Sequence, residues 1–133
     1  MKKGYIPPNP FNMNKSVTSI VIVDSDVSTH ETYRNYFSNS TAYQLLEIYS
    51  SVSDLLAHPV RNYPDIIVSE TTLPGISGLD GIEFVRKRKS NTKILMMSEA
   101  SDFSIIREAF KRGADGFLTK PIQYDRFFNA MDS

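Results

Sequence analysis

The sequence predicts an α/β fold, a five-stranded parallel sheet with helices on both faces. Short β-branched and apolar runs recur five times along the chain, and each is followed by a stretch with helical spacing. Such alternation implies right-handed βαβ crossovers and a sheet covered on both sides, three layers in all. Several runs also end in acidic, hydroxyl or lysine side chains. In a parallel sheet those ends converge on a crevice at the topological switch point.

Val17 to Val23 is the first strand, ending at Asp24-Ser25-Asp26. Ser28 to Phe37 follows with helical character, Tyr33 and Phe37 falling on one face. Tyr43 to Tyr49 reads as a second strand, although Leu45-Leu46 would suit a helix equally. Val52, Leu55 and Leu56 give a short helix, capped by Ser51 or Ser53 and stopped by Pro59. The third strand is Asp65 to Ser69, and Gly81 to Lys89 is the helix after it, with Ile82 and Val85 inward and Arg86 to Lys89 outward. Lys93 to Met97 is the fourth strand, with Met96 and Met97 as core. Asp102 to Arg112 forms a helix closed by Gly113, Gly116 to Thr119 the fifth strand, and Tyr124 to Met131 the last helix.

A chain of 133 residues suits one domain with a sizeable core. Fifteen basic and fifteen acidic residues cancel, so no global charge favours nucleic acid or an anionic membrane. The absence of cysteine removes disulfides and thiolate metal sites and fits a reducing cytoplasm. Apolar stretches such as Ile20 to Val23 fall far short of the roughly 18 residues a membrane span needs. Residues 1 to 16 hold three prolines and three asparagines without periodicity and read as a flexible leader; Gly4 to Pro10 stands where a signal peptide would need an apolar segment. A cytoplasmic protein is expected.

Asp24-Ser25-Asp26 ends the first strand, Glu70 the third, Ser98 the fourth, and Thr119-Lys120-Pro121 the fifth. Carboxylates hold a hard cation, while hydroxyl and ammonium groups donate to phosphoryl oxygens. Any one of these residues could be polar simply because the chain is reaching water. Together, in this order, they are far more specific.

VIVDSD, the Pro74-Gly75 loop after DIIVSE, ILMMS and GADGFLTKPI resemble the receiver domain of two-component response regulators, over about residues 17 to 131. The resemblance implies the flavodoxin-like (CheY-like) sheet order 2-1-3-4-5 with five helices. In that family an aspartate ending the third strand accepts a phosphoryl group from a histidine kinase, with Mg²⁺ held by an acidic pair after the first strand. A Ser or Thr after the fourth strand and a Lys after the fifth bind the phosphoryl oxygens. By position, Asp24 is the first acid, Ser98 the hydroxyl, Lys120 the lysine and Phe117 the aromatic switch, with Ser98 sharing that switching role. Asp24, Asp26 and Thr72 are what remains of a metal site.

The departures bear on function. Ser25 replaces the second acid, Asp26 is displaced by one position, and Glu70 stands at the phosphoacceptor position. The loop after Pro74-Gly75 runs through Gly81, about three residues longer than the family pattern. An extra methylene moves the Glu70 carboxylate by about 1.5 Å, one C–C bond. In-line phosphoryl transfer loses about 100-fold for a misplacement near 1 Å. Losing a carboxylate at position 25 weakens a hard-cation site, so Mg²⁺ binding is expected to be weak or absent. A degenerate receiver is therefore expected, a regulatory or dimerisation module independent of phosphorylation. Glu70 would either reach toward Lys120 or Ser98 as a partial substitute for a phosphoryl group, or pair with Lys120 and freeze an inactive scaffold.

One alternative is an aspartyl-nucleophile phosphatase. Asp24-Ser25-Asp26-Val27-Ser28 is similar to the opening motif of haloacid dehalogenase-type hydrolases, with Asp24 as nucleophile and Asp26 as general acid. That scheme needs a further acidic pair late in the chain, where only Asp125 and Asp132 remain. Arg86-Lys87-Arg88-Lys89 reads as a solvated helix end, and His30 and His58 as surface residues without ligand spacing.

The resemblance implies protein partners: an output domain, another receiver, a histidine kinase. It places the partner surface on residues 102 to 131, where Phe103 and Tyr124 are the candidates for a homodimer contact and Ile106, Phe110, Phe117 and Phe127 are core candidates. The chain stops where the last helix of such domains continues, as expected of a domain, residues 17 to 133, cut from a longer regulator. DNA would be reached only through an output domain.

Overall fold

The structure, a computed structural model, describes residues 17–99 and 103–133. The expected leader, residues 1 to 16, and the expected helix start at Asp102 lie outside them.

Five strands form one parallel sheet: β1 (Thr18–Val23), β2 (Tyr43–Tyr49), β3 (Ile66–Glu70), β4 (Lys93–Ser98) and β5 (Gly116–Thr119), in the order β2-β1-β3-β4-β5. Five α-helices connect and cover them: α1 (His30–Phe37), α2 (Val52–Leu56), α3 (Gly78–Arg88), α4 (Phe103–Arg112) and α5 (Tyr124–Asp132). Two 3-10 turns, Val27–Thr29 and Val60–Asn62, complete the described elements. The sheet order and the five helices are those the sequence predicts.

The strands alternate between two buried faces, as period-2 geometry requires. Ile20, Ile22, Ile66, Val68, Leu95 and Met97 pack with Tyr33 and Phe37 of α1 and Phe127 and Met131 of α5. Val21, Val23, Ile67, Ile94 and Met96 face the opposite layer, against Val52 and Leu55 of α2, Ile82 and Val85 of α3 and Ala109 of α4. Leu45-Leu46 belongs to a strand because β2 pairs with β1 from Tyr43 to Tyr49, the register stepping past Leu46 where it shifts between Ile20 and Val21.

Helix α3 departs from expectation. It starts at Gly78 rather than Gly81, because the Ser77 side chain accepts a hydrogen bond from the Asp80 N–H and caps the helix three residues earlier. The apparent extension of the loop is thus a first helical turn. Gly78 sits so close to the end of β3 that a Cβ there would lie 1.7 Å from the Glu70 carbonyl oxygen. Its N–H donates to the Thr71 carbonyl at 2.9 Å, fastening the helix to the strand that presents Glu70.

The histidines are buried, contrary to the surface positions expected of them. Each is satisfied by backbone: His30 Nε2 donates to the Asp24 carbonyl and His58 Nε2 to the Asn62 carbonyl, while His58 Nδ1 accepts from the Tyr49 hydroxyl. Arg86 is not a free solvated cation either. Its guanidinium donates to the carbonyls of Gly113, Ser90 and Thr92 and to Asp115, pinning α3 to both ends of the α4–β5 segment and the turn before β4.

Candidate functional site

The carboxyl ends of β1 and β3 lie side by side at the point where the chain order reverses, which is where a doubly wound sheet forms its crevice. Asp24 follows β1, Glu70 ends β3, Ser98 ends β4, and Lys120 follows β5. The Lys120 N–H donates to the Ser98 carbonyl at 2.8 Å, which fixes the lysine beside β4.

Lys120 bridges the two acids. Its Nζ lies 2.9 Å from Asp24 Oδ2 and 2.8 Å from Glu70 Oε2. The pairing is nearly dry, with the side chains of Asp24, Lys120 and Glu70 0%, 5% and 14% exposed. Glu70 is turned inward from its other oxygen as well. Oε1 accepts from the Ser25 N–H at 2.9 Å and the Ser25 hydroxyl at 3.1 Å. A second carboxylate at position 25 would stand against that oxygen, so the serine and the glutamate fit each other.

Asp24 is surrounded by donors. Oδ2 accepts from Lys120, from the Tyr33 hydroxyl at 2.7 Å and from the Thr29 hydroxyl at 2.9 Å, and Oδ1 from the Asp26 N–H at 2.8 Å. Burial raises the Asp24 carboxyl, but the Lys120, Tyr33, Asp26 and Thr29 hydrogen bonds outweigh it and hold the group below its ordinary value of 3.8. Burial likewise lowers Lys120, and its bonds to Glu70 and Asp24 more than compensate, holding the ammonium above 10.5. The Tyr33 phenol is pushed well up, first by burial and then by its bond to Asp24, so it stays a donor.

The remaining residues named from sequence divide. Asp26 is exposed and turned away, accepting from the Ser28 N–H and hydroxyl as the cap of the 3-10 turn. Those bonds hold its carboxyl below 3.8. Thr72 is exposed in the loop after β3. Phe117 is half-buried on β5, against the face covered by α2 to α4. Among the described residues, no three His, Asp or Glu side chains converge so as to hold a metal ion. Thr29 and Tyr33 were missed by sequence reasoning. The sequence places Tyr33 on one helix face with Phe37, and nothing local signals that its hydroxyl reaches the end of β1.

Residues 20–132 match the response regulator receiver domain family. The chain belongs to that family. The transcriptional regulatory protein MalR of Bacillus subtilis is 27% identical over 113 residues, 85% of this receiver and 48% of that protein. The chemotaxis protein CheY of Thermotoga maritima is 35% identical over 69 residues, 52% of this chain and 58% of that protein. Against MalR the receiver spans about half the relative's length. Two solved structures share the fold. A LuxR-family two-component response regulator from Aurantimonas sp. SI85-9A1 has a TM-score of 0.80 at 24% identity, covering 88% of this chain and 84% of that one. CheY4 of Vibrio cholerae has a TM-score of 0.79 at 21% identity, covering 87% and 97%. The receiver is thus a domain of two-component signalling, a family of signalling modules. No helix among its described residues is long and apolar enough to cross a membrane.

Proposed function

We propose that this receiver is degenerate and works without phosphoryl transfer, as a fixed regulatory or dimerisation module. The observation that carries the reading is the Lys120 ammonium shared between Asp24 and Glu70, with Ser25 donating to the second Glu70 oxygen. Glu70 already meets the lysine and is held inward, so its carboxylate is not free to attack an incoming phosphorus in line. The residues do not suit Mg²⁺ either. Position 25 offers a hydroxyl directed to Glu70 where the family carries an acid, and the Lys120 ammonium already stands between the two remaining carboxylates, Asp24 and Glu70.

The same geometry weighs against the phosphatase alternative, since Asp24 is enclosed by donors and Asp26 serves as a turn cap. Partners of this module are other proteins: an output domain, a second receiver or a kinase. Phe103, 78% exposed, and Tyr124, 50% exposed, are available for such a contact, whereas Phe127 is core.

Intact mass measured after incubation with a small acyl phosphate and Mg²⁺ tests the reading. The wild type is expected to stay unmodified. A stoichiometric phosphoryl adduct on the wild type would overturn it, and an adduct confined to Glu70→Asp would assign the block to the glutamate alone.

A further inference from the structure

The amino edge of the sheet is open where β1 and β2 begin. Thr18 pairs with Tyr43, and the Thr18 N–H donates to the Ala42 carbonyl at 2.9 Å, so Val17 stands beside the turn into β2. A cavity of about 480 Å³ opens there, with Val17, Phe37, Tyr43 and Leu45 as its apolar lining and Arg34 and Thr41 among its polar residues. Phe37 and Tyr43 also meet Phe128, at centroid distances of 5.2 and 5.5 Å. Phe128 in turn meets Tyr124 at 4.5 Å, and Tyr124 meets Tyr36 at 5.4 Å. A row of rings thus runs from the cavity along the α1–α5 seam, and its Tyr124 is 50% exposed. Apolar surface of this kind gains free energy when it is covered.

We propose that the leader supplies the cover: Phe11 fills the cavity, and Pro7-Pro8-Asn9-Pro10 lies on the rings of Phe128 and Tyr124. The leader is tethered at the mouth, since it joins the fold at Val17, itself a lining residue. Phe11 stands six residues before Val17, and six extended residues reach about 20 Å. Four residues in the polyproline II form span about 12 Å, enough for the centroid steps of 5.5 and 4.5 Å from Tyr43 to Tyr124. Proline-rich segments dock on aromatic-lined grooves because their form is set in advance and little entropy is lost. A short tether gives an effective concentration in the mM range, so an intrinsic affinity of about 1 mM already keeps the groove half-covered. The inference stands apart from the phosphoryl site. It closes the α1–α5 seam to partners and leaves the face carrying Phe103 open.

The chain has no tryptophan, so Phe11→Trp in the full chain carries a single indole that reports on the leader. Its fluorescence is compared with that of a synthetic peptide of residues 1–16 bearing the same substitution. Docking is expected to shift the emission to shorter wavelength. It should also lower acrylamide quenching about threefold below the peptide's, as an affinity somewhat tighter than about 1 mM gives at that effective concentration. Adding Tyr124→Ser, which removes an exposed ring of the row, should return the quenching toward the peptide's value. Thr41→Arg, at an exposed residue of the cavity, should do the same by filling it, and it decides the matter if Tyr124→Ser alters the circular dichroism of the fold. An indole as open as the peptide's overturns the docking. Shielding that both groove variants leave intact puts the leader elsewhere and overturns the site. Shielding that grows with protein concentration puts the leader on a second copy and overturns the intramolecular cover.

Discussion

Removing the Lys120 ammonium would leave Asp24 as a fully buried carboxylate with only neutral donors. Deleting one partner of a buried pair costs about 3–5 kcal/mol, far more than a surface pair contributes. Lys120→Met keeps the stem and should lose about 3 kcal/mol by urea denaturation at neutral pH. The sign with pH follows from the two shifts. Asp24 is depressed, so its contribution is full above 3.8 and disappears as pH falls through its folded value. Lys120 is raised, so its contribution is full below 10.5 and is lost as pH rises through the higher folded value. Without the ammonium, burial of Asp24 is less opposed and its carboxyl protonates earlier. The gap between wild type and Lys120→Met should therefore be widest between those limits and narrow in acid. A gap that widened below pH 4 would contradict the pairing. Ser25 belongs to the same scale: only a residue that donates, not one that accepts, suits the inward Glu70.

In helix α3 a side-chain cap moves the boundary between loop and helix. Ser77 and Asp80 stand in the sequence within the stretch read as a loop through Gly81. Tertiary contact decides, because α3 begins against the end of β3. Gly78→Ala would drive a Cβ to 1.7 Å from a backbone oxygen that cannot rotate away, and should cost about 3 kcal/mol, the upper part of the range for overpacking. Gly81→Ala meets only the Val52 side chain at 3.1 Å, and better helix propensity offsets the crowding, so it should stay within about 1 kcal/mol. Equal losses in thermal melts of the two variants would refute the distinction. The strands were legible because two buried faces leave continuous apolar runs, and β2 has the predicted bounds. The site was legible only in part. Asp24, Glu70, Ser98 and Lys120 end strands or follow them directly, so their convergence follows from topology alone. Tyr33 and Thr29 act across the α1–β1 contact, and Arg86 acts across α3 and β5, distances that no sequence period encodes.

Across the whole molecule the two faces of the sheet are built differently, and this ties the site to the last helix. The face under α2, α3 and α4 is largely aliphatic, whereas α1 and α5 meet through rings. Phe127 is fully buried and packs edge-on against Tyr33, Tyr36 and Phe37, the closest pair being 5.6 Å apart. The Tyr36 hydroxyl adds a 3.0 Å bond to the Ile122 carbonyl just before α5. Thus the ring that fixes the Tyr33 hydroxyl on Asp24 also seats α5. Phe127→Ala should lose about 3–5 kcal/mol, a large share of the 5–15 kcal/mol that holds an ordinary domain together. Phe103→Ser removes a ring that is 78% exposed and should leave stability within about 0.5 kcal/mol. Its effect belongs to association, so it should weaken any self-association seen by sedimentation while leaving the melting curve in place. If Phe103→Ser melted as early as Phe127→Ala, the face carrying Phe103 would be part of the core and not a surface for a partner.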